Sequence, residues 1–270
     1  MSPDGRHWEP AELDLGAAGG SPPGAFVSDL AGTEGRLIAG GWIERSPGRR
    51  DAAVWHSEDG GRRWILTGSP VPANPEKPDE ITTVSRVEGG WLATGYDELD
   101  RRGGPSLFTV ERVSRMWHSA DGLAWERLEP PKGSSDVHLL AGARDVRYVS
   151  GGAPGGVSVW RAGPDGAWSD TGDGFQALPN SMSVLEGDGD GLVLAGIEPQ
   201  SDQRNHAVLW GSVDGFKYRR TLTAPDSAWF WAAVRHDDRW YVYGSSTSGT
   251  RGWVASVDCA TGQTCADLRP

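Results

Sequence analysis

The stretch Met116-Trp117-His118-Ser119-Ala120-Asp121-Gly122-Leu123-Ala124-Trp125 decides how the rest of the chain is read. It runs an apolar pair ending in Trp into Ser-x-Asp-Gly and closes on a second aromatic. The phrase returns at Val54-Trp55-His56-Ser57-Glu58-Asp59-Gly60-Gly61-Arg62-Arg63-Trp64. It returns again at Leu209-Trp210-Gly211-Ser212-Val213-Asp214-Gly215, with Tyr218 as the closing ring. A shorter copy, Ser2-Pro3-Asp4-Gly5-Arg6-His7-Trp8, opens the chain. A degraded copy keeps Trp160, Asp165-Gly166 and Trp168 but has Gly163 where the serine belongs, and Ser256-Val257-Asp258 keeps only the start. Copies roughly 40–60 residues apart mark a chain built from one supersecondary unit used several times.

A second phrase falls between the copies of the first. Short apolar runs end in a small residue and glycine: Leu37-Ile38-Ala39-Gly40, Leu92-Ala93-Thr94-Gly95, Tyr148-Val149-Ser150-Gly151, Val193-Leu194-Ala195-Gly196 and Tyr241-Val242-Tyr243-Gly244. Each follows a turn rich in Gly, Asp or Glu, and another apolar segment precedes that turn, as in Ile81 to Val87 or Trp229 to Val234. Two apolar runs joined by such a turn read as a β-hairpin. Each unit is then hairpin strands A and B, a variable loop, strand C with its Trp, the Asp turn and strand D. The units fall at 24–68, 80–129, 136–171, 181–223 and 228–268. Four-stranded antiparallel units of this length predict an all-β propeller of five blades, or six, in one domain. The segment 1–15 reads as an orphan D strand that closes the ring beside Arg251 to Val257. Cys265-Ala266-Asp267-Leu268 competes for that place, and an N-terminal copy with no A, B or C strand before it leads us to expect further sequence upstream.

Composition agrees with this architecture. Fourteen Trp stand against five Tyr and five Phe, an indole content that a disordered chain does not carry. Thirty-nine Gly and eighteen Pro supply turns for many short strands. A net charge of −11 argues against nucleic acid and against docking on anionic membranes, both of which need clustered Lys and Arg. No apolar run approaches the ~20 residues of a spanning helix.

The Ser-x-Asp-Gly phrase with its closing aromatic resembles the Asp-box, or bacterial neuraminidase repeat, of sialidase-like β-propellers. The resemblance covers essentially the whole chain and implies the fold. In function it is broad, since that family includes hydrolases, lectins, assembly factors and receptor ectodomains. It implies structural roles for Asp4, Asp59, Asp121, Asp165 and Asp214, in turns at the blade periphery. The physics agrees, because an Asp carboxylate accepts backbone N–H groups from its own turn and Gly supplies the backbone angles. The sialidase catalytic set is absent as a pattern: no Arg-Ile-Pro phrase stands near the N-terminus, and Tyr96 with Glu98 only imitates the paired tyrosine nucleophile.

In propellers the ligand face is made by B–C loops and D–A crossovers. The ligand-binding candidates that fall there are Trp42, Tyr96, Arg101, Arg204, His206, Trp229 and Trp231, aromatics to stack on sugars and polar groups to bond around them. The expected function is extracellular, non-catalytic recognition of a glycan, peptide or partner domain by a monomer, with no cofactor. The alternative is a glycoside hydrolase or lyase, which needs two carboxylates about 5–10 Å apart with one pKa raised. Glu44, Asp97, Glu98 and Asp136, with Glu80, are the candidates for that pair. Cys259 and Cys265 can staple the final turn as a disulfide, which suggests a secreted or cell-surface protein; two unpaired thiols are the other reading. The six His show no metal spacing, and Asp188-Gly189-Asp190-Gly191 lacks the downstream bidentate acid of an EF-hand, so no metal is expected.

Overall fold

The computed structural model describes residues 7, 9–14, 24–33, 35–46, 49–67, 79–87, 89–100, 110–143, 146–153, 156–163, 166–171, 181–188, 191–199, 205–212, 219–223, 228–236, 239–246, 249–257 and 266–269. Among these every regular element is a β-strand. The chain forms two compact units, residues 1–130 with 136–138, and residues 131–135 with 139–270.

The first unit holds two sheets. Strands β1 (Glu12–Leu13), β2 (Ala25–Thr33), β3 (Arg36–Ser46), β4 (Arg49–Ser57) and β5 (Arg63–Leu66) make one, in the order β1-β5-β4-β3-β2. Strands β6 (Asp79–Val87), β7 (Gly90–Asp100), β8 (Val110–Ser119) and β9 (Glu126–Leu128) make the other, in chain order. The second unit carries three sheets, each in chain order: β10 (Ser135–Ala143) to β13 (Trp168–Asp170) with β11 (Val146–Ala153) and β12 (Gly156–Ala162); β14 (Ser181–Asp188), β15 (Gly191–Pro199), β16 (Asn205–Ser212) and β17 (Arg219–Thr223); and β18 (Ala228–His236), β19 (Arg239–Ser246), β20 (Gly249–Val257) and β21 (Ala266–Arg269). Apart from β1, neighbouring strands within each sheet pair antiparallel.

Two expectations need correction. Among the described residues the strand of the N-terminal segment pairs within the first sheet, not with Arg251 to Val257. Its strand β1 runs parallel to β5, Glu12 opposite Arg63 and Leu13 opposite Trp64, and the fourth strand of the last sheet is β21, from the C-terminal end. The physical anchor is Trp55, whose indole Nε1–H donates to the carbonyl of Asp14 at 2.8 Å, while Leu13 packs on the cluster formed by Ala39, Ile43, Ala53 and Trp55. Nor does Tyr96 fall in a B–C loop: β7 runs on to Asp100 and β8 starts at Val110, pairing rung by rung.

The repeated Trp is the core of each unit. Trp55 and Trp117, on the third strands of the first two sheets, are 0% and 2% exposed, and Trp160 and Trp210 hold the matching places in the second unit. Between the first two sheets, Ile38, Ala52 and Val54 meet Ile81, Val84, Trp91, Ala93 and Trp117. The packing is close enough to demand glycine. A Cβ on Gly40 would stand 2.5 Å from Ile81 Cγ2 and 2.7 Å from Val84 Cγ1. The two sheets are also bonded through Asp29, whose Oδ2 accepts the Val84 N–H at 2.9 Å; burial pushes its carboxyl above the ordinary range.

The Ser-x-Asp-Gly turns explain their own sequence. Ser57 Oγ donates to Asp59 Oδ1 at 2.8 Å and accepts the Gly61 N–H, while Asp59 Oδ1 also takes the Arg63 N–H. Ser119 and Asp121 repeat the pattern, with Asp121 Oδ1 accepting the N–H groups of Leu123 and Ala124. These backbone bonds, first from Arg63 and Ala124 respectively, hold both carboxyls below the usual Asp range. Where Gly163 replaces the serine, the turn closes through its backbone instead: Gly166 N–H donates to the Gly163 carbonyl and Gly163 N–H to that of Ala167. Asp4, Asp165 and Asp214 lie outside the described residues, as do Cys259 and Cys265.

Candidate functional site

Strand register aligns the sheets on one another. A bulge interrupts the first strand of the first, second, fourth and fifth sheets between Val27 and Asp29, Ile81 and Thr83, Met182 and Val184, and Phe230 and Ala232. Opposite each stands a glycine: Gly41, Gly95, Gly196 and Gly244. The reason is visible in the first unit, where a Cβ on Gly41 would overlap the carbonyl oxygen of Phe26 and one on Gly95 that of Glu80. Gly41, rather than Gly40, is therefore the equivalent of Gly95.

That alignment shows which residues depart from the repeat. Rung for rung, the apolar Ala25, Ile43 and Ala53 of the first sheet become Asp79, Asp97 and Arg115 in the second. On the other side of the same strand ends, Phe26 and Trp42 become Glu80 and Tyr96. The first sheet carries one acid on these rungs, Asp51 opposite Ile43, and the second carries two, Asp79 opposite Asp97. Apart from Asp51 and Ala53 on β4 and Arg115 on β8, these residues sit where β2 and β6 begin and β3 and β7 end, at the end of the sheets opposite the Ser-Asp turns.

Asp79 is the most perturbed group. It is 3% exposed, and burial first, then the charge of Asp97, a hydrogen bond to Asp97 and the charge of Asp51, push its carboxyl up to about 7, against a smaller opposing pull from Arg115. Asp79 Oδ1 is buried and has no hydrogen-bond partner among the described residues, and the same holds for Thr94 Oγ1 on β7. Arg115 closes the other side, its Nη2 2.5 Å from Asp97 Oδ2 and its Nη1 donating to the Ser114 carbonyl. Ser114 Oγ in turn accepts the N–H of Val137 at 2.8 Å.

Beside this cluster lies a surface of aromatics and charge. The Phe26 and Trp42 rings stack with centroids 5.8 Å apart and 17° between planes, Phe26 being 53% exposed. The Arg50 guanidinium sits 4.6 Å above the Trp42 ring and 3.7 Å from Glu80 Oε2. Glu80 Oε2 also accepts the Tyr96 hydroxyl at 3.0 Å. The tyrosine therefore pairs with Glu80, across the strands, rather than with Glu98, its near neighbour in sequence.

Of the sequence candidates, the structure brings Trp42, Tyr96 and Asp97 into this region. Glu44 lies on the rung of Arg50, its N–H bonded to the Gly24 carbonyl. Glu98 is opposite Arg112 on β7, Asp136 is on β10, and His206 faces Glu198 on β16, each placed by backbone alone. Trp229 and Trp231 are placed on β18 in the same way, and Arg101 and Arg204 lie outside the described residues. The sequence reading misses Asp79 and Phe26. Among the described residues no group of three or more His, Cys, Asp or Glu is arranged to hold a metal ion.

No protein-family model and no curated protein sequence matches the chain. Solved structures do. A protein of unknown function from Dyadobacter fermentans aligns with 91% of this chain and 82% of its own, at 13% identity and a TM-score of 0.59. A prolyl endopeptidase aligns with 90% of this chain at 13% identity and TM-score 0.55, and Trypanosoma rangeli sialidase, solved with sialic acid, with 87% at 13% identity and TM-score 0.51. The fold is of the propeller kind. This chain spans 36% of that endopeptidase and 46% of that sialidase, and at such identity the likeness carries architecture alone.

Proposed function

We propose that the loop end of the first two sheets recognises glycans, and that the chain is a non-catalytic, five-bladed binding propeller of the secreted or cell-surface kind. The observation that carries this reading is the Phe26–Trp42 stack with Arg50 above it. The exposed Phe26 ring can take the apolar face of a sugar ring, and the neighbouring Glu80 carboxylate can accept from hydroxyls. A second reading, glycoside hydrolysis, draws support from Asp79, a carboxyl raised to about 7 beside a second carboxyl. Its difficulty is geometric: Asp79 and Asp97 share a hydrogen bond, closer than the ~5–10 Å at which paired carboxylates flank a glycosidic bond.

A glycan array beside a panel of chromogenic glycosides separates the two on one purified sample. Binding without turnover, lost in Trp42→Ala, is the expected result. Turnover abolished by Asp79→Asn would establish the hydrolase instead, and silence on both panels would remove glycan recognition altogether.

A further inference from the structure

We propose that this site is gated by a proton: it holds its glycan while Asp79 and Asp97 share one, and releases it when both are ionised. The inference rests on the glycan-recognition reading and adds that site's regulation. Asp79 and Asp97 stand opposite one another on the first rung of the β6–β7 pair, while the matching rung of the first sheet, Ala25 opposite Ile43, pairs two apolar side chains. Arg115 Nη2 lies 2.5 Å from Asp97 Oδ2, an ion pair in which Asp97 is the anion, so the shared proton belongs to the buried Asp79. The described charges around Asp79 are Asp97 on β7, Arg115 on β8, Arg50 and Asp51 on β4, Glu44 on β3 and Glu80 on its own strand. The residues of β2 at this end, Ala25 and Phe26, carry none. Desolvation first, then the charge of Asp97, keeps the proton on Asp79 up to near-neutral pH.

The next rung belongs to the recognition surface. Glu80 stands opposite Tyr96, whose hydroxyl donates to Glu80 Oε2 at 3.0 Å. Backbone contact couples the two rungs, because the Glu80 carbonyl oxygen lies so close over Gly95 that a Cβ there would stand 1.8 Å from it. Loss of the proton sets two like charges directly opposite in a buried rung, an arrangement that destabilises a strand pair. Strand β6 begins at Asp79, whereas β7 runs on to Asp100 with its rungs to β8 intact, so β6 is the side that yields. Moving Asp79 draws Glu80 away from Tyr96 and Arg50, and the carboxylate offered to sugar hydroxyls leaves its place. Asp79 is therefore a positioning residue, acting on the glycan through Glu80.

The test titrates the intact chain at pH 6.0, 7.0 and 8.0 with neutral gluco-, manno-, galacto- and N-acetylated chito-oligosaccharides, which carry nothing that ionises in this range. With the Asp79 carboxyl at about 7, affinity for the bound probe should fall about tenfold from pH 6.0 to pH 8.0, following the protonated fraction of the chain. Calorimetry at pH 7.0 in two buffers of different ionisation enthalpy should show uptake of about half a proton per glycan, because glycan and proton favour the same state. In Asp79→Asn, a neutral side chain of equal shape, affinity should vary by less than about twofold over the same range. Asp79→Ala, which places at this rung the residue the first sheet carries there, should show the same flat profile if the amide variant does not fold. Equal affinity of the parent at all three pH values overturns the inference and leaves glycan recognition standing. A pH dependence that survives in the variants also overturns it, assigning the titration to another group. Tryptophan fluorescence of an unfolded chain at pH 8.0 overturns it too, since release then follows from loss of the fold. Failure of every probe to bind at any pH overturns both.

Discussion

Asp79 should make the protein less stable as pH rises, and removing its charge should reverse that. Burial pushes its carboxyl up to about 7 in the folded chain, from an ordinary value of 3.8. A group raised on folding stabilises the native state fully below its unfolded value, and that contribution is lost as pH climbs through its folded value. The loss therefore accumulates between about pH 4 and pH 7. About three pH units correspond to ~4 kcal/mol at 1.36 kcal/mol each, reduced to about 2 kcal/mol once screening by water at the strand ends is allowed for. Asp79→Asn imitates the protonated acid and keeps a donor toward Asp97. Urea unfolding followed by tryptophan fluorescence at pH 4.5, 6.0, 7.0 and 8.5, for parent and variant side by side, isolates this group from the other acids. The variant should match the parent at pH 4.5 and exceed it by about 2 kcal/mol at pH 8.5. No gain at pH 8.5, or a gain of the same size at every pH, would refute the reasoning.

Further expectations come from the packing. Trp55→Ala should cost about 3–5 kcal/mol in urea unfolding, since it empties a fully buried indole site and removes the tie to Asp14 that holds β1. Asp59→Ala and Asp121→Ala should each lower the urea midpoint while leaving glycan affinity unchanged, because their carboxylates bond only their own turns. Stability lent by these two acids should fade as pH drops through their depressed pKa values, the reverse of the Asp79 slope. Gly95→Ala should cost about 1–3 kcal/mol and weaken glycan capture, since its Cβ displaces the Glu80 carbonyl and with it the Glu80–Tyr96 pair.

The fold was legible because each repeat writes its physics into short phrases. The Ser-x-Asp-Gly phrase bonds itself into a turn at Ser57 and again at Ser119, and Trp55 or Trp117 two residues earlier is buried. Strand β1 escaped that logic. A two-residue strand carries no periodicity, and its place on β5 comes from an indole N–H forty-one residues away. The site was half legible: Trp42, Glu80, Tyr96 and Asp97 stand out as aromatics and acids at strand ends. Asp79 does not, because its character comes from Asp97 and Asp51, which only strand register brings to it. Glu98 looked like the partner of Tyr96 because sequence distance is visible and a cross-strand rung is not. The signal that could have found Asp79 was nonetheless present, in the Ala25 that stands at its position one unit earlier.

The most direct measurement of the central claim is hydrogen exchange read by mass spectrometry, with and without the best-binding oligosaccharide from the array. The account predicts slowed exchange in peptides covering residues 24–31, 39–51, 79–84 and 94–97, with little change at the turns around Asp59 and Asp121. Protection confined to the Asp turns or to β18, with none at these strand ends, would contradict it.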